Sequence, residues 1–152
     1  MGQGATFSIY LPTVDKTASK PQSPDSQFTL GGKERILVVE DNSAVRRVSV
    51  RALQLHGYEV SSVDCAKAAH EIIANQAFDL VVVDIGLPDG NGCTLASDLR
   101  EAAPGLQALL VSGHVDDEVR SRVRLDGHNI LPKPYSVSAL ARSVRTALQK
   151  CN

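Results

Sequence analysis

Five short apolar runs, each followed by a stretch with helical spacing, constrain this chain more than any other feature of its sequence. Ile36-Leu37-Val38-Val39 is wholly apolar and rich in branched residues, the mark of a strand covered on both faces. Ser43 to His56 follows, with Val45, Val48, Ala52 and Leu55 at helical spacing and Gly57 as a stop. Between those apolar positions Arg46, Arg47 and Arg51 read as an exposed helix face, with docking of a partner as the alternative. The alternation continues with a strand over 58–63 and a helix over 65–76, in which Ala66, Ala69 and Ile73 point inward. A strand over 78–83 leads through a Gly and Pro loop to a helix over 93–102. A strand over 106–111 precedes a helix over 115–125, and a strand over 129–131 precedes a helix over 136–149 carrying Val137, Leu140, Val144 and Leu148 on one face. Parallel neighbours need crossover connections, so this order predicts an α/β fold with a parallel sheet and helices on both faces.

Upstream of Glu34 the composition changes. Residues 13–33 are rich in Pro, Ser, Thr and Gly, with few apolar side chains to offset the entropy of ordering, and read as a flexible linker. Residues 1–12 differ again: Phe7, Ile9 and Leu11 alternate with Thr6, Ser8 and Tyr10 as in a strand. The folded domain is therefore expected over 34–152.

Charge and cysteine content narrow the function. Sixteen Lys and Arg against seventeen Asp and Glu leave a net charge of -1, which provides no bulk field for nucleic acid or an anionic membrane. Cys65, Cys93 and Cys151 have no metal-ligand spacing and suit reduced thiols in a cytoplasm, so zinc is not expected. No apolar run approaches the roughly 20 residues that span a bilayer, and no signal-peptide pattern opens the sequence. A cytoplasmic segment without nucleic-acid or membrane contact is the expectation.

In open parallel sheets, sites form beyond the carboxyl ends of the strands. The first strand ends in Glu40-Asp41, the third in Asp84 and the fourth in Ser112, while the fifth leads into Lys133-Pro134. The fold would bring all five side chains to one edge. Clustered carboxylates repel one another and call for a hard dication, for which magnesium suits an all-oxygen set. With that cation in place Asp84 can act as a nucleophile towards phosphorus, while Lys133 and Ser112 hold the phosphoryl oxygens.

Four motifs carry a resemblance to the receiver domain of two-component response regulators: Leu37-Val38-Val39-Glu40-Asp41-Asn42, Asp84-Ile85-Gly86-Leu87-Pro88-Asp89-Gly90-Asn91-Gly92, Val111-Ser112-Gly113 and Leu131-Pro132-Lys133-Pro134. That resemblance, over about 34–150, implies a flavodoxin-like sheet of strand order 2-1-3-4-5 with five helices. It implies that Asp84 accepts the phosphoryl group and that Asp41, Glu40 (through water) and the Gly86 carbonyl complete a magnesium site. Lys133 would pair with the phosphoryl group, Ser112 would move to bind it, and the bond before Pro134 would be cis. Implied partners are a histidine kinase or histidine phosphotransfer domain, with a homodimer through the fourth helix (115–125), fifth strand and fifth helix. Residues 1–12 resemble the closing strand of the ATP-binding domain of sensor histidine kinases, which implies the C-terminal receiver of a hybrid kinase whose ATP site is absent here. With only Cys151 and Asn152 beyond the last helix, no output domain is expected, and signal leaves by protein contact, relay or feedback on the kinase.

Two positions depart from the family pattern. Ile130 stands where an aromatic switch residue is usual, three residues before the lysine. Gly86 and His114 occupy the positions that tune self-hydrolysis, one too small to block water and the other able to occlude or orient it. Two other classes are open at this stage. A pseudo-receiver would keep the fold as an interaction module without phosphorylation, against which the intact acidic set speaks. A magnesium-dependent phosphatase would need a second acid for the leaving group, and Ile85 and Gly86 supply none.

Overall fold

The computed structural model describes residues 32–113 and 129–149. The helix expected over 115–125, residues 1–31 and His114 lie outside the described residues.

Strand β1 (Arg35–Val39) leads into helix α1 (Ser43–Leu55), β2 (Glu59–Val63) into α2 (Ala66–Asn75) and β3 (Leu80–Asp84) into α3 (Gly92–Ala102). Between β3 and α3 the expected loop contains a two-residue hairpin, β4 (Gly86–Leu87) and β5 (Gly90–Asn91). Strands β6 (Gln107–Ser112) and β7 (Asn129–Pro132) follow, and α4 (Val137–Gln149) ends the described chain. The main sheet has the order β2-β1-β3-β6-β7 with every pairing parallel, which is the expected 2-1-3-4-5 order once the hairpin is set aside.

Successive strand residues point to opposite faces, and the core divides accordingly. Ile36, Val38, Leu80, Val82, Leu109 and Val111 pack beneath α1 and α4 with Ala52, Leu53, Leu140 and Val144. Leu37, Val39, Val81, Val83 and Leu110 face the other way onto Ala69 of α2 and Leu95, Ala96 and Leu99 of α3. Ile36, Leu37, Leu80, Leu109 and Leu110 are fully buried, and each such side chain contributes about 1.5–3 kcal/mol relative to an exposed one. This two-faced burial is why β1, β3 and β6 contain almost no polar residue before their ends.

The rotation of α1 departs from its apolar spacing. Its buried residues are Ser49, Ala52 and Leu53, whereas Val48 is 59% and Leu55 68% exposed. Ser49 is buried on the same side as Ala52 and Leu53, and its hydroxyl meets the Tyr135 hydroxyl at 3.2 Å. In α4 the inward set is Leu140, Ala141, Val144 and Ala147, with Val137 exposed.

Helix starts are fixed by side chains near the sheet's carboxyl edge. The Asn42 side chain accepts from Ala44 N at 3.0 Å and Val45 N at 3.2 Å, and Asn91 accepts from Cys93 N at 2.8 Å. Helix α2 begins at Cys65 without a cap of its own, and Asp89 of the hairpin supplies one from a distance, accepting from Ala66 N (2.9 Å) and Lys67 N (3.1 Å).

Candidate functional site

Glu40 follows β1, Asp84 ends β3, Ser112 ends β6 and Lys133 follows β7, so adjacent parallel strands place all four at one edge. Asp84 is in register with Val111, one residue before Ser112, and the Ser112 carbonyl accepts from the Lys133 N–H at 2.7 Å. The Lys133–Pro134 bond is cis, as the family resemblance implies. Lys133 Nζ donates to Glu40 Oε2 and to Asp84 Oδ2, each at 2.7 Å. Glu40, Asp41 and Asp84 each offer a carboxylate oxygen within 4.8 Å of the others. Glu40 is buried, Asp84 half-buried and Asp41 exposed, so the cluster opens to solvent on the Asp41 side.

The local electrostatics follow from this crowding. Burial pushes the Glu40 carboxyl above its ordinary value, and the charge of Asp84 adds to the effect against the hydrogen bond from Lys133. Burial also works against the Lys133 ammonium, but its hydrogen bonds to Asp84 and Glu40, with their charges, hold its pKa above the ordinary lysine value. One ammonium thus stands among three carboxylates. A hard dication with oxygen ligands would balance the remainder, and the donor set fits one.

Three further expected participants take these places in the fold. Gly86 is exposed, and its N–H donates to Asp84 Oδ1 at 3.2 Å. Ser112 is buried, 5% exposed, at the end of β6. Ile130 is half-buried on β7 opposite Leu110 and packs with the α2 and α3 side of the core.

Other residues at this edge have roles that the sequence reading did not assign. Arg46 is half-buried rather than exposed: its Nη1 donates to the carbonyls of Glu40 (2.5 Å) and Asp41 (3.1 Å). Gly92 lies so close to β3 that an added Cβ would sit 2.2 Å from the Asp84 carbonyl oxygen and 2.7 Å from Ile85 Cα. Its place at the end of the Pro and Gly run was the available signal. For Arg46 the signal was its position within the first turn of a helix leaving an acidic pair, because side chains there lean back over the preceding loop.

Comparison with known proteins bears directly on this arrangement. The response regulator receiver domain family matches residues 36–145. The chain belongs to that family. It is a receiver domain of two-component systems, and it is similar to the sensor kinase CckA of Brucella abortus, 34% identical over 161 residues. That match takes in 99% of this chain and 17% of CckA. The sensor protein TorS of Escherichia coli is 33% identical over 148 residues, 96% of this chain and 16% of TorS. The receiver thus spans about a sixth of either sensor. Among solved structures, a CheY-like receiver domain protein from Methanospirillum hungatei superposes with a TM-score of 0.73 at 28% identity, over 78% of this chain and 96% of that one. The non-phosphorylated HemR receiver domain from Leptospira biflexa gives 0.71 at 29% identity, over 76% and 94%. No helix among the described residues is long and apolar enough to cross a membrane.

Proposed function

We propose that this receiver takes a phosphoryl group from a phosphohistidine onto Asp84 in a magnesium-dependent reaction, then relays it or loses it to water. The observation that carries the reading is the meeting of Glu40, Asp41, Asp84 and Lys133, from three separate strand ends, around one solvent-open point. Asp41, Asp84 and the Gly86 carbonyl would hold the magnesium directly and Glu40 mainly through water. When bound, the ion supplies charge neutralisation and a fixed place for a phosphoryl oxygen. A carboxylate oxygen of Asp84 forms the new bond to phosphorus as the phosphorus–nitrogen bond breaks, and the imidazole leaves with the electron pair. Lys133 pairs with a phosphoryl oxygen, and the Ser112 hydroxyl donates to another after transfer. At Ile130 an aliphatic side chain packed on the α2 and α3 side would report that movement in place of a swinging ring.

The donor is a histidine kinase or histidine phosphotransfer domain, and the surface beside Lys133 suits one. A groove of about 530 Å³ lined by Ala44, Val45, Val48, Ser49, Pro134 and Tyr135 opens next to the lysine. Exposed Val48 and Leu55 on α1, with Arg47 and Arg51 beside them, extend it into an apolar face rimmed by cations. A homodimer through residues 115–125, β7 and α4 belongs to the same reading.

The hybrid kinase origin is likewise a proposal, supported by the match to CckA over 99% of this chain, a span that includes nearly all of residues 1–31. On that reading 1–12 closes a kinase ATP-binding domain, 13–33 is the linker, and the segment works in the cytoplasm. The deciding experiment is incubation with a small phosphodonor and magnesium, followed by intact mass. A phosphate-sized gain in the wild type, absent without magnesium and absent in Asp84→Asn, is expected; a wild type that gains nothing, or a gain surviving Asp84→Asn, overturns the assignment.

A further inference from the structure

Arg46 occupies a place that is costly for a cation. It lies in the first turn of α1, where the free N–H groups make the helix end positive and acidic side chains are favoured. Its guanidinium is spent on the two backbone carbonyls of the acidic pair, Glu40 O at 2.5 Å and Asp41 O at 3.1 Å, both from Nη1. Glu40 is the residue at which the chain leaves the sheet: its N–H still bonds to Val63 O of β2, whereas its carbonyl turns to Arg46. The loop from Glu40 to Asn42 is therefore held at its start by the sheet, at its end by the Asn42 cap, and in the middle by Arg46.

We infer that Arg46 is a positioning residue for the magnesium site, fixing the main chain from which the Glu40 and Asp41 carboxylates project. The inference rests on the reading of this edge as a metal-dependent phosphoacceptor site. Both bonds go to backbone oxygens, so the guanidinium does not compete for carboxylate oxygens, and its hydrogen bonds set where those oxygens stand before a cation arrives. Two simpler roles are distinguishable by sign. A countercharge alone would oppose a dication, and its removal would tighten magnesium binding. A merely structural contact would alter unfolding and leave binding by the folded protein unchanged.

The test compares wild type with Arg46→Lys, Arg46→Gln and Arg46→Met in magnesium titrations by calorimetry, thermal unfolding, and phosphorylation by a small phosphodonor at saturating magnesium. Lysine can still bring a charged donor to the carbonyls, glutamine is too short, and methionine has no donor. Roughly tenfold or greater weakening of magnesium binding is expected for Met and Gln, the size usual when a group orienting metal ligands is lost, with Lys close to wild type. Phosphorylation at saturating magnesium is expected to fall in the same order. Tighter binding in Met and Gln, or unchanged binding below their unfolding transitions, overturns the inference. Should Met fail to fold, the Lys and Gln pair decides by the same criteria. A wild type that binds no magnesium and takes no phosphate fails the underlying reading instead.

Discussion

Lys133 Nζ lies 2.7 Å from Asp84 Oδ2 while making an equally short contact to Glu40 Oε2, so one ammonium links the two acids across strands β1 and β3. In Lys133→Met those carboxylates face each other with no cation between them. Loss of the metal-free fold's stability by up to about 3 kcal/mol is expected, since breaking a buried pair strands the partner's charge. Magnesium should restore more of the melting temperature in the variant than in wild type, because it meets a more negative site. Phosphorylation from a small donor is expected to fall about a hundredfold, the usual consequence of removing a donor to developing oxyanion charge. Melting curves with and without magnesium, paired with mass-resolved time courses, check both parts; an unaltered rate contradicts the role given to the lysine.

Two glycines near Asp84 should respond in opposite ways. Gly92 is pressed against the β3 backbone, and an alanine there must displace either Asp84 or the start of α3. Gly92→Ala is expected to cost about 1–3 kcal/mol, the range for overpacking, and to slow phosphorylation by moving Asp84. At Gly86 an added Cβ meets nothing within 4 Å, so Gly86→Ala should stay within about 0.5 kcal/mol of wild type. Denaturant unfolding of both variants reads this directly, and equal destabilisation would show that the close approach at Gly92 does not matter.

The sheet was legible because burial on both faces keeps β1, β3 and β6 apolar between their first and last positions, and the site was legible because polar side chains reappear abruptly at Glu40, Asp84 and Ser112. Less legible was anything decided by rotation or by main-chain acceptors. Helical spacing in α1 is satisfied by Val45, Val48, Ala52 and Leu55, and nothing in that pattern says that Ser49 and Leu53 turn inward beside Ala52; the buried Ser49 hydroxyl finds its partner in Tyr135, far away in sequence. Arg46 looked like one of three solvated arginines, since its partners are carbonyls that carry no residue-specific signal. The β4–β5 hairpin escaped notice because two-residue strands have no periodicity to detect.

Asp89 shows how such a long-range cap becomes measurable. Hydrogen bonds from the Ala66 and Lys67 N–H groups hold its carboxyl below the ordinary value of 3.8. The folded protein therefore binds that proton more weakly than the unfolded chain. The stabilisation is fully present above 3.8 and is lost as pH falls through the lower, folded value. Asp89→Asn is expected to melt at a lower temperature than wild type at neutral pH, with the gap narrowing below pH 3.8. A gap that persists unchanged into acid would mean that the carboxylate charge is not what caps α2.

The exposed face of α1 gives the means to separate chemistry from recognition. Val48 and Leu55 lie two turns apart and are 59% and 68% exposed, so neither is required by the core; aspartate should cost about 0.5 kcal/mol at Val48 and up to about 1 kcal/mol at Leu55, the last residue of α1, where its charge opposes the helix dipole. A small phosphodonor needs only the Asp84 site and should phosphorylate Val48→Asp and Leu55→Asp as it does wild type. On the docking proposed above, a phosphohistidine protein would also seat beside Lys133, in the groove where Val48 joins Ala44, Val45 and Tyr135. Placing a negative charge there removes apolar contact and works against an approach guided by Arg47 and Arg51. Transfer from a phosphorylated histidine phosphotransfer domain is therefore expected to slow roughly tenfold or more in Val48→Asp, the scale of losing one well-packed interface side chain. Equal losses with both donors would place the effect in the site itself, and no loss with the protein donor would move the docking surface elsewhere on the domain.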